Sequence, residues 1–171
     1  ALSPAERISY LKRMADHLRA RESEIAKAWT AQMGGLASFA GPMTGGSTMT
    51  FDNIIAMAEK FSFVEQRPTI GAAVGLVAYE PVGVVAAIAP WNGPYGIMLN
   101  KVAYALASGC TVIMKPSPET PLEAYIIAEA AEAAGIADAC AFIDAGRIVE
   151  QGPAAAVLAD PASRLNQWLA G

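Results

Sequence analysis

The sequence predicts an α/β fold: a parallel β–α–β–α unit that is preceded by N-terminal helices and followed by a C-terminal β-hairpin and short helices. Gly83 to Ala89 is a continuous apolar run rich in β-branched residues, typical of a strand buried on both faces, and Pro90 ends it. Pro94 to Ser108 carries apolar residues at helical spacing, and Thr111 to Met114 is a second buried strand. So short a connection implies parallel strands with a right-handed crossover.

Two helices are predicted before this unit. Ser3-Pro4-Ala5-Glu6 is a capping box with proline at the first helical position, which marks the start of the first helix. The second helix is predicted from about Glu22 to Met33, where Gly34 follows as a terminator. His17, the single histidine, is expected to face solvent on the first helix.

The segment Gly41 to Thr48 imitates a phosphate-binding P-loop. Ser47 stands where the phosphate-binding lysine should be, and no apolar strand precedes Gly41. We therefore interpret the segment as a flexible loop. It leads to a third helix from about Phe51 to Val64, with Thr48 or Thr50 as its cap.

The segments on either side of the parallel unit are predicted from weaker patterns. Thr69 to Tyr79 alternates weakly and contains two glycines, which favours an extended edge strand. After the second parallel strand, Thr120-Pro121-Leu122-Glu123 repeats the capping box with proline, and the helix that it begins is expected to run to Ala134.

Beyond Gly135 the pattern changes. Cys140 to Asp144 and Arg147 to Glu150 predict two short strands around a tight turn at residues 145–146. Two short helices are then expected, over residues 153–159 and 163–169.

The composition of the 171 residues excludes several classes of function. The net charge of −4 without a basic cluster argues against nucleic acid or an anionic membrane as a partner. No apolar run is long enough to span a bilayer, although the mean hydropathy is +0.33. Two cysteines and one histidine make no metal-ligand cluster, and a structural role is expected for Cys110. The pI near 5.0 and the lack of a signal peptide favour a cytoplasmic enzyme, and the start at Ala1 without methionine suggests a longer product.

The candidate site is the edge where the two parallel strands end. Ligands of open α/β sheets bind beyond these carboxyl ends, which here are Pro90-Trp91-Asn92 and Lys115-Pro116-Ser117. Asn92 offers an uncharged amide donor, and Lys115 offers a cation suited to phosphate or ribose hydroxyls. The simpler alternative is that Asn92 is a turn residue that caps the next helix, with Lys101 and Lys115 as ordinary solvated lysines.

The run from Pro81 to Gly135 closely resembles the cofactor-binding half of the NAD(P)-dependent aldehyde dehydrogenase superfamily. The resemblance is carried by Ala89-Pro90-Trp91-Asn92, a lysine nine residues after the asparagine, Ser108-Gly109-Cys110 and Lys115-Pro116-Ser117, in that order. It implies a partial Rossmann-like unit within residues 1–135 and NAD or NADP as cofactor. It also implies a dinucleotide and a small aldehyde as binding partners.

The resemblance also implies site residues. Asn92 matches the asparagine whose amide helps to form the oxyanion hole, and Lys101 matches a lysine that supports it. Some relatives place a ribose-binding glutamate three residues after the lysine that matches Lys115, whereas Pro118 stands there in this chain, so the choice between NAD and NADP stays open. The implied cofactor-binding residues are Ile88, Ala89, Pro90, Trp91, Lys115, Ser117 and Glu119.

Three hypotheses follow from these patterns. The family's cysteine nucleophile and glutamate base lie beyond the matching region, so the first is a truncated cofactor domain that does not oxidise aldehydes. The second is a non-catalytic binding or assembly protein, with a homo-oligomer expected from the open sheet edges. The third follows from residues 136–171, whose Asp144-Ala145-Gly146-Arg147-Ile148-Val149-Glu150 run resembles the end of an ABC transporter ATPase subunit and implies an associated module.

Overall fold

The computed structural model describes residues 2–136, 140–144 and 147–163. The helices within these ranges are α1 (Pro4–Ala20), α2 (Glu22–Met33), α3 (Ala37–Lys60), α4 (Pro94–Ala107), α5 (Leu122–Ala133) and α6 (Ala154–Ala159). The strands are β1 (Val64–Thr69), β2 (Ala72–Ala78), β3 (Val84–Ile88), β4 (Thr111–Lys115), β5 (Cys140–Asp144) and β6 (Arg147–Gly152). They form three two-stranded sheets: β1–β2, β3–β4 and β5–β6.

Helix α1 begins where the sequence predicts, and α2 both begins and ends there. The Ser3 backbone N–H donates to a carboxylate oxygen of Glu6 at 2.7 Å, and the Ser3 hydroxyl accepts from the Glu6 N–H at 3.3 Å, which completes the capping box. Helix α2 ends at Gly34, whose φ of 69° is a left-handed conformation that glycine adopts without strain. His17 is exposed, as expected.

The predicted loop over residues 41–48 is wrong, because these residues lie inside α3. The hydroxyls of Thr48 and Thr50 donate to the carbonyls of Thr44 and Gly46 one turn earlier, so neither threonine caps a helix. The helix also ends at Lys60, four residues before the expected end.

Close packing explains why a glycine-rich segment is helical. A Cβ atom at Gly96 of α4 would lie 2.7 Å from the Ser47 hydroxyl, so the Ser47 side chain of α3 lies directly against the backbone of α4 there. Thr44 and Thr48 of α3 are buried, and the Thr48 hydroxyl lies 3.0 Å from the Tyr95 hydroxyl of α4. Burial against α4 outweighs the low helix propensity of glycine, which a local pattern does not reveal.

Strands β1 and β2 form an antiparallel hairpin. The predicted edge strand, Thr69 to Tyr79, corresponds to β2. Its partner β1 was not predicted, because the preceding helix was expected to reach Val64 and no element was assigned to residues 65–68. Val64 pairs with Ala78, and Gly71 makes the turn with a φ of 81°.

Strands β3 and β4 are parallel and are connected through α4, as predicted. Their register runs from the Val84–Thr111 pair to the Ile88–Lys115 pair. The expectation that both faces are buried is wrong. Ala87 is fully buried against the helices, whereas Val84 is 67% and Ile113 59% exposed. Among the described residues, helices cover one face of this two-stranded sheet and leave the other open.

The capping box predicted at Thr120–Glu123 does not form, although α5 itself does. The Gln32 side-chain oxygen accepts from the Leu122 N–H at 2.8 Å and so caps α5 from the end of α2. The Thr120 hydroxyl donates elsewhere, to the Trp91 carbonyl, and Glu123 is buried. Tertiary contacts have replaced the local cap.

Helices α1 to α5 enclose the core together with the inner face of β3. The most deeply buried apolar side chains of this core are Leu11, Met14, Leu18, Ile25, Phe51, Tyr95, Met98, Leu99 and Ile127. Among the described residues, no helix combines the length and apolar character needed to cross a membrane.

The C-terminal hairpin β5–β6 and helix α6 occur where the sequence predicts them. Cys140 pairs with Gly152 at the open end of the antiparallel hairpin. The turn at residues 145–146 lies outside the described residues, as does nearly all of the helix expected over residues 163–169. Helix α6 packs against α5 and β6.

Candidate functional site

The strand-end site is formed by two segments. Residues 88–92 begin with the last residue of β3, and residues 115–119 begin with the last residue of β4. The Ala89 N–H donates to the Lys115 carbonyl at 3.2 Å, which extends the parallel pairing to the carboxyl edge of the sheet. Because both strands run in the same direction, both turns leave the sheet at this edge. The structure thus brings the two predicted segments together.

The turn Pro90-Trp91-Asn92 is exposed to solvent. Trp91 is 56% exposed, and Asn92 is likewise at the surface. The first residue before α4 is Gly93, and within the described residues no side chain caps this helix. The alternative in which Asn92 serves as the helix cap is therefore not what the structure shows, and its amide stays available at the edge of the sheet.

Lys101 lies on α4, seven residues after the helix begins at Pro94. This spacing places it about 10 Å further along the helix axis. Lys101 is exposed, and the described part of the chain offers it no hydrogen bond or ion pair. The structure does not bring Lys101 into hydrogen-bond contact with Asn92, and its supporting role stays a prediction.

The segment after β4 carries both signs of charge. The Lys115 ammonium donates to the adjacent Pro116 carbonyl at 3.4 Å, and in the described ranges it forms no ion pair within 4 Å. The Ser117 hydroxyl donates to the carboxylate of Glu119. This hydrogen bond, together with a backbone hydrogen bond and the nearby positive charge of Lys115, lowers the pKa of Glu119. Glu119 is therefore ionised at neutral pH.

These groups fit a dinucleotide. Lys115 can donate to ribose hydroxyls or a phosphate, Glu119 can accept from ribose hydroxyls, and Asn92 adds an uncharged donor. Ile88, 55% exposed, and Trp91 supply apolar area beside them. Because the Asn92 and Lys115 donors are not used up by strong internal hydrogen bonds, they can bind a ligand.

Other polar clusters of the described chain have structural roles. A groove of about 250 Å³ between α1 and α3 is lined by charged side chains that pair with each other, as Lys12 does with Glu59 and Arg19 with Asp52.

Cys110 is a buried free thiol, as predicted. It precedes β4, so it lies about 16 Å from Lys115, at the opposite edge of the sheet.

Sequence reasoning missed two residues that organise this site. Thr120 was interpreted as a helix cap, and Gln32 was not singled out. Their partners, Trp91 and Leu122, lie 29 and 90 residues away in the chain. No local sequence signal indicates such contacts.

Comparison with a family model identifies residues 1–151 as matching the aldehyde dehydrogenase family. The match continues beyond Gly135 through β5 and most of β6, so the resemblance of this part to an ABC transporter ATPase finds no support in the comparisons.

Individual relatives agree with the family match. The chain is 37% identical over 131 residues to geranial dehydrogenase of Castellaniella defragrans, covering 76% of this chain and 27% of that protein. It is 37% identical over 155 residues to mitochondrial succinate-semialdehyde dehydrogenase of Arabidopsis thaliana, covering 90% of this chain and 29% of that protein. The chain therefore spans less than a third of these relatives.

Solved structures give the same result. An NAD-dependent aldehyde dehydrogenase from Sinorhizobium meliloti superimposes with a TM-score of 0.75 and 36% identity, covering 80% of this chain and 27% of that one. PnpE in complex with nicotinamide adenine dinucleotide superimposes with a TM-score of 0.73 and 31% identity, covering 79% of this chain and 28% of that one. This chain belongs to the aldehyde dehydrogenase family.

Proposed function

We propose that this chain is a dinucleotide-binding unit of the aldehyde dehydrogenase family and that NAD or NADP binds at the strand-end site. The observation that carries the proposal is the convergence of Asn92 and Lys115 at the carboxyl edge of the parallel sheet, with their donors available. PnpE, a structural relative with 31% identity, was solved with nicotinamide adenine dinucleotide bound, which supports the same class of ligand here.

Each residue of the site has a separate role in this proposal. Lys115 donates to the hydroxyls of a ribose or to an additional phosphate on it. Glu119, held by Ser117, accepts a hydrogen bond from a ribose hydroxyl and stands one residue after Pro118, where some relatives carry this carboxylate. The side chains of Ile88 and Trp91 exclude water from one side of the ligand.

We further propose that the chain binds the cofactor without oxidising aldehydes. When bound, the nicotinamide of the cofactor is the group that accepts hydride. Asn92 can donate to an oxyanion, but this role requires a nucleophile next to it. Cys110 lies at the other edge of the sheet and is buried, so it cannot attack an aldehyde held near Asn92.

Titration calorimetry of the chain with NAD and with NADP tests the proposal. We expect saturable binding of one of them and none of ATP. Lys115→Ala should weaken binding about tenfold, because a charged hydrogen bond contributes about 1.5 kcal/mol or more. Lys27→Ala, which removes another exposed lysine, from α2, is the matched control and should bind like the wild type.

Two results would contradict the proposal. The absence of heat with both cofactors, in a chain shown by circular dichroism to be folded, would exclude dinucleotide binding. Production of NADH from an aldehyde, abolished by Asn92→Ala, would show that the chain is catalytic and would overturn the binding-only role.

The exposed apolar face of β3–β4 favours a second candidate function, as an assembly unit. We propose that Val84, Ile88 and Ile113, each more than half exposed, cover one another across two copies of the chain. Sedimentation velocity should then detect a dimer that Ile113→Lys weakens by at least tenfold. Met57→Lys, at a position 52% exposed on α3, is the matched control. A wild-type chain that stays monomeric at all concentrations would exclude this candidate.

A further inference from the structure

Thr120 connects the two turns of the strand-end site. Its hydroxyl donates to the Trp91 carbonyl at 3.2 Å, and its backbone N–H donates to the Ser117 carbonyl at 3.1 Å. The side chain is only 1% exposed, whereas Trp91 and Asn92 lie at the surface. A buried hydroxyl on the β4 side therefore holds an exposed turn on the β3 side.

The turn has few other restraints. Within the part of the chain that the structure describes, the bond from Thr120 is the one hydrogen bond made by Pro90, Trp91 or Asn92. The strand pairing ends one residue earlier, with the bond from Ala89 to Lys115. A single polar contact thus restrains the turn, together with the fixed φ of Pro90.

This contact determines the direction of the peptide that carries Asn92. The Trp91–Asn92 peptide is trans, so its carbonyl and its N–H point in opposite directions. Since Thr120 holds the carbonyl toward the segment after β4, the Asn92 N–H points away from that segment. The same bond fixes the starting position of the Asn92 side chain.

We propose that Thr120 is a positioning residue of the strand-end site: its hydroxyl holds the Trp91–Asn92 turn in register with the Lys115–Glu119 segment, so that both bind one dinucleotide. This inference rests on the proposed cofactor site. A site whose turns are already ordered binds more tightly, because less conformational freedom is lost on binding. Thr120 acts through Trp91 and Asn92 and needs no contact with the ligand.

The test compares Thr120→Val with Thr120→Ser. Valine keeps the shape of the buried side chain but removes the donor, whereas serine keeps the hydroxyl. We expect Thr120→Val to weaken NAD binding about five- to tenfold and Thr120→Ser to bind within about twofold of the wild type. Thr50→Val removes a hydroxyl that bonds within α3 and is the matched control.

A second measurement needs no cofactor. In backbone ¹⁵N relaxation of the free chain, we expect the order parameters of Trp91 and Asn92 to fall from about 0.85 toward about 0.6 in Thr120→Val and to recover in Thr120→Ser. The thermal midpoint should shift by no more than about 4 °C, which shows that the fold is retained. A merely structural role would lower the midpoint without a selective change at Trp91 and Asn92.

The outcomes separate this inference from the proposed function. If the wild type binds neither NAD nor NADP, the proposed function fails, and the binding role of Thr120 fails with it. This holds even where the order parameters show that Thr120 orders the Trp91–Asn92 turn. If the wild type binds and Thr120→Val leaves both the affinity and the order parameters unchanged, the positioning role is overturned while the cofactor site stands.

Discussion

Replacement of Tyr95 by alanine is expected to destabilise the chain by about 3–5 kcal/mol, the usual cost of removing a large buried ring. Tyr95 is 1% exposed and is the second residue of α4, three residues after Asn92. Its hydroxyl lies 3.0 Å from the Thr48 hydroxyl of α3, in a buried hydrogen bond. The ring thus attaches the start of α4, and with it the turn of the strand-end site, to the helical core.

Urea denaturation followed by circular dichroism measures this loss. Tyr104→Ala is a matched control on the same helix, because Tyr104 is 50% exposed; its change should stay within about 0.5 kcal/mol. Tyr95→Phe keeps the ring and should cost about 1 kcal/mol, the value of one hydrogen bond. Equal effects of the two alanine substitutions would show that α4 is not anchored through Tyr95.

The burial of Tyr95 should also affect how the free energy of unfolding depends on pH. Burial raises the pKa of Tyr95 to about 12, so its phenol stays neutral in the folded chain. Because folding raises this pKa, the neutral Tyr95 phenol contributes its full stability below the pKa that tyrosine has in the unfolded chain. This contribution is lost as the pH rises through the pKa of the folded chain. The Tyr95→Phe variant should therefore lose less stability than the wild type above about pH 10.

The central elements were predictable because their signals are local. The apolar runs that became β3 and β4, the proline that begins α4 and the capping box at Ser3 each act over a few residues. The ends of these apolar runs placed Asn92 and Lys115 at the carboxyl ends of parallel strands, where the structure has them.

What sequence reasoning missed depends on contacts between distant segments. Residues 41–48 look like a loop because glycine and proline are poor helix formers, yet packing on Gly96 makes them helical. Thr120 and Glu123 fit a capping box, but Gln32 from α2 supplies the cap and frees the Thr120 hydroxyl for Trp91. The burial of β3 was overestimated because a continuous apolar run does not reveal how many layers cover it.

Gln32→Ala is expected to destabilise the chain by about 2–4 kcal/mol at neutral pH. The Gln32 amide oxygen accepts from the Leu122 N–H at 2.8 Å, and its amide nitrogen donates to the buried carboxylate of Glu123. The other carboxylate oxygen of Glu123 has no hydrogen-bond partner among the described residues. Loss of Gln32 would remove the cap of α5 and the hydrogen bond to a buried acid together.

The effect should depend on pH in a defined direction. Burial raises the pKa of Glu123, and the hydrogen bond from Gln32 opposes part of that shift. Because this pKa is raised, the contribution of neutral Glu123 to stability is complete below the pKa of the unfolded chain and is lost as the pH rises through the pKa of the folded chain. Without Gln32 the pKa of Glu123 rises further. The Gln32→Ala variant should therefore lose more free energy of unfolding at about pH 8 than at about pH 4.

Two further variants locate the cause. Gln66→Ala removes an exposed glutamine from β1 and should change the free energy of unfolding by no more than about 0.5 kcal/mol at any pH. Glu123→Gln removes the charge but keeps the shape, so it should stabilise the chain at about pH 8 and leave it unchanged at about pH 4. A pH-independent deficit in Gln32→Ala would assign the loss to the cap on Leu122 alone. The part of the stability loss that grows with pH is due to Glu123, because Gln32 stabilises the ionised form of that carboxylate.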